Sequence, residues 1–181
     1  MTRATSQGVT LVELLITLSL TAILLALAGP PFRDMILNNR RAAQLNALTG
    51  SLNLARSAAV KGGSDAVVCI TDGAATPDCD SDGTQWEAGW LVIVDSNKDG
   101  NISSADGDEL LEVHEALAGG FTLRSNTGTQ WRVAYDSRGS STNRTLTLCD
   151  SRGEAHAKGI VILNTGRARL TSETDVLTCP Q

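Results

Sequence analysis

Apolar positions fall along the chain in three regimes. From Val9 to Ala28, VTLVELLITLSLTAILLALA is apolar in an almost unbroken run with one ionisable member, Glu13, and its length matches the roughly 20 residues a helix needs to cross a bilayer. From Phe32 the apolar residues thin to a stripe. Ala42, Leu45, Leu48, Leu52, Ala55 and Ala59 recur every three or four positions, with Arg40, Arg41, Asn46 and Arg56 off that stripe, as in an amphipathic helix. Pro30 and Pro31 between the two regimes predict a kink or local loosening, and Gly62 with Gly63 predicts the helix end. Beyond Gly63 the pattern changes to short runs, AVVCI, WLVIVD, ELLEV, FTLRS, QWRVAY, RTLTLC, GIVIL and RARLT, separated by Gly, Asp and Asn. Such runs read as strands of antiparallel sheets. The expected fold class is α+β, with a leader over 1–8, a long helix over 9–61 and a β head over 62–181.

Charge is spread unevenly. Residues 1–61 carry six Lys or Arg against Glu13 and Asp34, residues 62–115 carry Lys98 against thirteen carboxylates, and residues 116–181 carry eight against five, giving the net charge of −5. An acidic middle therefore conceals a basic final third holding Arg124, Arg132, Arg138, Arg144, Arg152, Lys158, Arg167 and Arg169, and global charge says little about partners. At the other end, the polar leader MTRATSQG with Arg3 precedes the apolar run 9–28, which continues into a helical pattern rather than into a small-residue signal-cleavage site. Positive charge before the run places the leader in the cytoplasm and the head across the inner membrane, in the periplasm.

Glu13 is costly inside a membrane segment, about 2.5–3.5 kcal/mol on insertion scales, and needs a cation. Cleavage between Gly8 and Val9 would create an α-amine four residues upstream on the same helical face. The stretch GVTLVELL resembles the type IV prepilin signal of pilins and pseudopilins through Gly8, Thr10, Leu11, Glu13 and Leu14, with Val9 where that family usually has Phe. The resemblance implies cleavage after Gly8 by a prepilin peptidase, N-methylation of Val9, and a Glu13 that neutralises a neighbouring subunit's amine during assembly. It also implies a long helix whose first half lies in the membrane or filament core and whose second half packs on a two-sheet β domain.

Four cysteines in an exported head, without C-x-x-C or His spacing, read as two disulfides rather than a metal site. Of the three pairings, Cys69 with Cys79 closes a short Gly/Pro/Asp loop and Cys149 with Cys179 pins the C-terminal tail to a strand. The segment DSNKDGNISSAD places Asp95, Asn97, Asp99, Asn101 and Asp106 at offsets of an EF-hand-like calcium loop. A strand precedes that loop and Asp106 replaces the usual Glu, so a polar turn is the preferred reading, with no cofactor and calcium as the alternative. His114 and His156 show no metal or triad spacing, no nucleophile elbow or phosphate-binding glycine loop is present, and an enzyme is not expected. His114 reads as a surface residue. Trp86, Trp90, Trp131 and Tyr135 read as core or core-edge residues rather than a base-stacking platform.

CITDGAATPDC, WEAGWLVIVDSNKDG, ELLEV and the terminal GRARL before a late Cys together resemble the H-type pseudopilins and FimT-like minor pilins, the GspH/FimT family. That resemblance implies either a structural subunit of a type II secretion pseudopilus, working through other pilin-like subunits, or a minor pilin that binds DNA for natural transformation. In NTGRARL, Asn164 and Gly166 favour a turn, after which Arg167 and Arg169 point to one side of a strand, roughly 6.6 Å apart, with Ala168 and Leu170 toward the core. Neither arginine has a carboxylate within three positions, and planar guanidinium forks suit phosphate oxygens. Gly166, Arg167 and Arg169 match the Gly-Arg-any-Arg element that FimT-like pilins use for DNA.

Overall fold

The computed structural model describes residues 8–97, 103, 107–126, 131–172, 175 and 177–179, without the side chains of residues 26–31. Helix α1 spans Leu11–Gly62. Thr10 caps it, its Oγ1 accepting the Glu13 N–H at 3.2 Å and satisfying one of the donors that a helix start leaves open. The helical assignment runs through Pro30 and Pro31, so the prolines do not end the helix. Gly63 follows with φ +60°, a left-handed conformation that suits glycine and stops helices.

Two compact units divide the chain, Met1–Arg40 and Arg41–Gln181. The boundary lies inside α1, and the stripe Leu45, Leu48, Leu52, Ala55 and Ala59 is buried within the second unit. In the first unit, Leu11, Leu14, Leu15, Leu18, Leu20, Ile23, Leu24 and Leu25 are all exposed. Among the described residues, no helix is long and apolar enough to cross a membrane. Side chains of the expected 9–28 span are described only as far as Leu25.

The head holds two four-stranded antiparallel sheets. Strands β1 (Ala66–Ile70), β2 (Trp90–Val94), β3 (Glu109–His114) and β5 (Arg132–Tyr135) form the first, in the order β3-β2-β1-β5. Strands β4 (Thr122–Ser125), β6 (Arg144–Cys149), β7 (Lys158–Ile162) and β8 (Ala168–Leu170) form the second, in the order β4-β6-β7-β8. Every expected run holds a strand, with His114 added at the end of β3 and Lys158 at the start of β7. β1 and β2 are buried at every position, so both faces of the first sheet are covered. On one face Val67, Cys69, Leu91 and Ile93 pack with Cys79, Leu110, Trp131 and Ala134. On the other, the Trp90 indole N–H donates to Ser51 Oγ of α1 at 2.9 Å, and that hydroxyl donates onward to Glu112 Oε1 at 2.9 Å. His114 is not a free surface residue. Paired with Trp90 in register, its ring stacks on the indole with centroids 3.8 Å apart.

Both disulfides take the expected pairing, Cys69–Cys79 with Cα atoms 5.5 Å apart and Cys149–Cys179 at 5.9 Å. Trp86, Trp90 and Tyr135 are fully buried core residues. Asp99, Asn101 and Asp106 of the calcium-loop expectation lie outside the described residues. Asp95 is buried, and among the described residues no group of three or more His, Cys, Asp or Glu is placed to hold a metal ion. Asp108 closes this loop, its two oxygens accepting the N–H groups of Ser96 at 2.9 Å and Ser103 at 3.1 Å. Backbone donors thus explain that carboxylate as a loop clasp.

Candidate functional site

The Gly166 turn is built by close backbone contact. The Gly166 N–H donates to the Leu163 carbonyl at 2.7 Å, and the Leu163 N–H donates to the Arg167 carbonyl at 3.1 Å, so the β7–β8 register continues one step past β8. Gly166 has φ +72°, and a Cβ there would fall onto the Gly139 carbonyl. Only glycine meets both demands. Gly139, at φ +78°, belongs to the β5–β6 turn, where its N–H donates to the Asp136 carbonyl at 2.7 Å. The two turns are joined again by Ser141 N–H donating to the Asn164 carbonyl at 3.1 Å. Arg56 of α1 bridges them, its Nε donating to the Gly139 carbonyl at 3.1 Å and its Nη2 to the Thr165 carbonyl at 2.8 Å.

Arg167 stands directly before β8, exposed and without an ion-pair partner among the described residues. Arg169 differs from expectation. Its Nη1 and Nη2 hold both oxygens of Asp175, at 2.9 and 3.1 Å, so a carboxylate six positions away neutralises it. The hydrogen bond from Arg169, and then the Ser172 backbone N–H, hold the Asp175 carboxyl far below the usual carboxylate range; Arg169 is raised in turn, first by the same bond. Leu170 does not reach the core. It is 52% exposed, because β8 is a three-residue edge strand and no strand lies beyond it to cover that side chain.

Most of the remaining basic residues of the final third are engaged by other groups or half-buried. Arg124, on the opposite edge strand β4, is bound by Glu87. The Arg132 guanidinium lies over the Trp131 ring at 4.7 Å. Arg144 is buried and donates to the Arg132 carbonyl, Arg152 pairs with Asp150 at 2.7 Å, and Lys158 is half-buried. Arg138 is different: it sits beside Gly139 in the turn that touches Gly166, and it is highly exposed, with Asp136 at 3.0 Å. Asp136 is held below its ordinary range first by the Ser140 backbone N–H. Under the turns, Tyr135 is pushed up to about 12 by burial, against the opposing charges of Arg56 and Arg144.

Sequence reading missed Arg56, Asp136 and Asp175 as members of this site. Arg56 is off the apolar stripe and has nothing local to mark it. Asp175 lies beyond the three-residue window in which a local partner is sought.

The assembly end is described at Gly8, Val9 and Glu13. Gly8 and Val9 precede the capped start of α1, and Glu13 is exposed in the first turn among apolar side chains.

Residues 44–166 match the family model described as type II transport protein GspH, and residues 3–29 match the prokaryotic N-terminal methylation motif. No curated protein matches. Among solved structures, the type IV minor pilin FimU of Pseudomonas aeruginosa is similar at 16% identity, with a TM-score of 0.60 over 79% of this chain and 96% of that one. The minor pseudopilin EpsH from the type 2 secretion system of Vibrio cholerae is similar at 16% identity, with a TM-score of 0.52 over 74% and 98%. These two likenesses concern the fold alone. The match of the family model over most of the chain, joined to the methylation motif before it, shows that the chain belongs to the GspH family of minor pilins and pseudopilins.

Proposed function

We propose that this chain is a non-enzymatic minor subunit of a type IV pilus whose head binds extracellular DNA, without sequence preference, for uptake in natural transformation. Prepilin peptidase cuts after Gly8, Val9 is methylated, the run 9–28 anchors the subunit in the inner membrane with the head in the periplasm, and Glu13 meets a neighbouring subunit's amine on entry into the filament. The observation that carries the DNA reading is Arg167, exposed at a rigid turn within Gly166-Arg167-Ala168-Arg169 and lacking a carboxylate among the described residues. Asp175 does not remove Arg169 from this role. An exposed ion pair is weak and screened by salt, so a phosphate can take the carboxylate's place.

A second reading rests on the same ion pair. If Arg169 stays bound to Asp175, the head is only a protein contact in a type II secretion pseudopilus. The test is titration of the full chain in detergent micelles with duplex DNA at low and moderate salt, beside an Arg167→Gln/Arg169→Gln variant with an unchanged melting temperature. Two phosphate contacts give a log-log salt slope of about −1.8, and the variant should lose it. Absence of salt-sensitive binding, or an unaffected variant, would replace the DNA reading with the structural one. Processing is tested separately: Gly8→Arg should leave the longer precursor in the membrane, and normal cleavage of that variant would contradict the assignment.

A further inference from the structure

Two turns far apart in sequence meet at the Arg167 site. The Gly139 carbonyl occupies the space where a Cβ of Gly166 would stand, and Ser141 donates to Asn164 across the junction. A guanidinium from the helix, Arg56, then ties the Gly139 and Thr165 carbonyls together. Since Arg138 adjoins Gly139 and Arg167 adjoins Gly166, contact between the two glycines sets these arginines on two touching turns.

Electrostatics favours an anion here. Arg56, Arg138, Arg167 and Arg169 face two carboxylates, Asp136 and Asp175, an excess of two positive charges in a chain of net charge −5. Arg56 donates only to carbonyls in these contacts, and its charge is not cancelled there. Arg138 remains 84% exposed despite its bond to Asp136, so its fork can turn to an outside acceptor at little cost.

We propose that the β5–β6 and β7–β8 turns form one contact surface for the phosphodiester backbone of DNA, with Arg138 as a binding residue beside Arg167 and Arg169. This rests on the DNA reading above and extends it to a residue that no local motif marks. The named residues of this surface are guanidinium forks and none is aromatic, so it binds phosphate and is indifferent to base sequence. The half-buried Arg56 ties the two turns together through their carbonyls.

The experiment measures duplex affinity of the full chain in detergent micelles as a function of salt for wild type, Arg138→Gln, Arg167→Gln/Arg169→Gln, and Lys61→Gln. Lys61 is an exposed cation at the end of α1, near Val94 and Glu109, and controls for loss of one charge elsewhere. Three contacts predict a slope of about −2.7, falling to about −1.8 in Arg138→Gln, with a several-fold loss of affinity for every duplex sequence and an unchanged melting temperature. Lys61→Gln should match wild type. If the Arg167/Arg169 variant loses binding while Arg138→Gln behaves as wild type, or while Lys61→Gln loses as much as Arg138→Gln, the two-turn surface is wrong and the DNA reading stands without it. If wild type shows no salt-sensitive binding, both fall.

Discussion

The two ends of α1 have opposite relations to the rest of the chain. In Arg41–Gly62 a single stripe of apolar residues is buried, and Leu48, Leu52, Ala55 and Ala59 are at most 1% exposed, while Leu54 and Val60 off that stripe stay exposed. In Leu11–Leu25 the apolar residues occupy all sides, and each large one is 53–75% exposed. Both stretches are helical, so the backbone does not distinguish them. The cover does: a helix with a single apolar stripe is completed by its own domain, whereas one that is apolar all round needs lipid or other helices. Glu13 sharpens the contrast, since its charge is exposed on that apolar surface and needs a cation from outside.

Glu13→Val tests the outward-facing half and carries the largest expected effect. Glu13→Val should ease membrane insertion, because the buried charge is gone, yet lower incorporation into the filament by about tenfold or more, because a neighbouring amine loses its counter-ion, while leaving the melting temperature of the head unchanged. Immunoblots of sheared filaments against membrane fractions measure it. Equal incorporation would mean that the carboxylate has another purpose.

Paired truncations read the same contrast as stability. Leu52→Ala, at a fully buried site, should cost about 2–5 kcal/mol in urea unfolding of the head. Leu18→Ala, 59% exposed, should stay within about 0.5 kcal/mol. Similar losses from the two would show that the first half is covered by the chain itself.

A somewhat smaller effect is expected from Cys149→Ala/Cys179→Ala. The bridge closes a separation of 30 residues and should contribute about 2–4 kcal/mol. Its loss also frees the segment that carries Asp175 to Arg169. Proteolysis should then begin in the tail and leave the 41–170 region intact; a first cut in α1 would reverse the comparison.

Tyr135→Phe gives the smallest change at neutral pH, under about 1 kcal/mol, because the buried hydroxyl has no partner among the described groups and its removal leaves nothing unsatisfied. The difference appears in alkali. Burial raises this phenol from 10.0 to about 12, so the folded state holds the proton more tightly. The stability it contributes is complete below pH 10 and is lost as pH rises from 10 to 12. The variant should lose less stability across that window. Because this is the sole tyrosine, tyrosinate absorbance reports it directly; ionisation near pH 10 in the folded chain would show the site to be wet.

Local signals carried most of the fold. The change from an unbroken apolar run, to a stripe of period three to four, to short Gly-bounded runs placed α1 and all eight strands, since each depends on neighbours within a few positions. Cys69 with Cys79 was legible for the same reason, closing a loop of ten residues, and the late Cys179 had few strands to join. The stack of His114 on Trp90 was not legible. It depends on the antiparallel register of β2 and β3, which no single run contains.

At the candidate site the division runs through the arginines. NTGRARL announced a glycine turn and two cations, because φ at Gly166 and the alternation of a strand are properties of the local backbone. Their fates were settled at longer range: Arg169 by Asp175 in the returning tail, Arg167 by the lack of any carboxylate folded near it among the described residues, and Leu170 by the end of the sheet at β8. The meeting of Gly139 with Gly166, and Arg56 bound to both turns, required the helix, the β7–β8 hairpin and the β5–β6 connection between the two sheets to pack together. Charge and turn chemistry are written in adjacent residues, whereas neutralisation, exposure and proximity arise from which distant groups the packed core brings within a few ångströms.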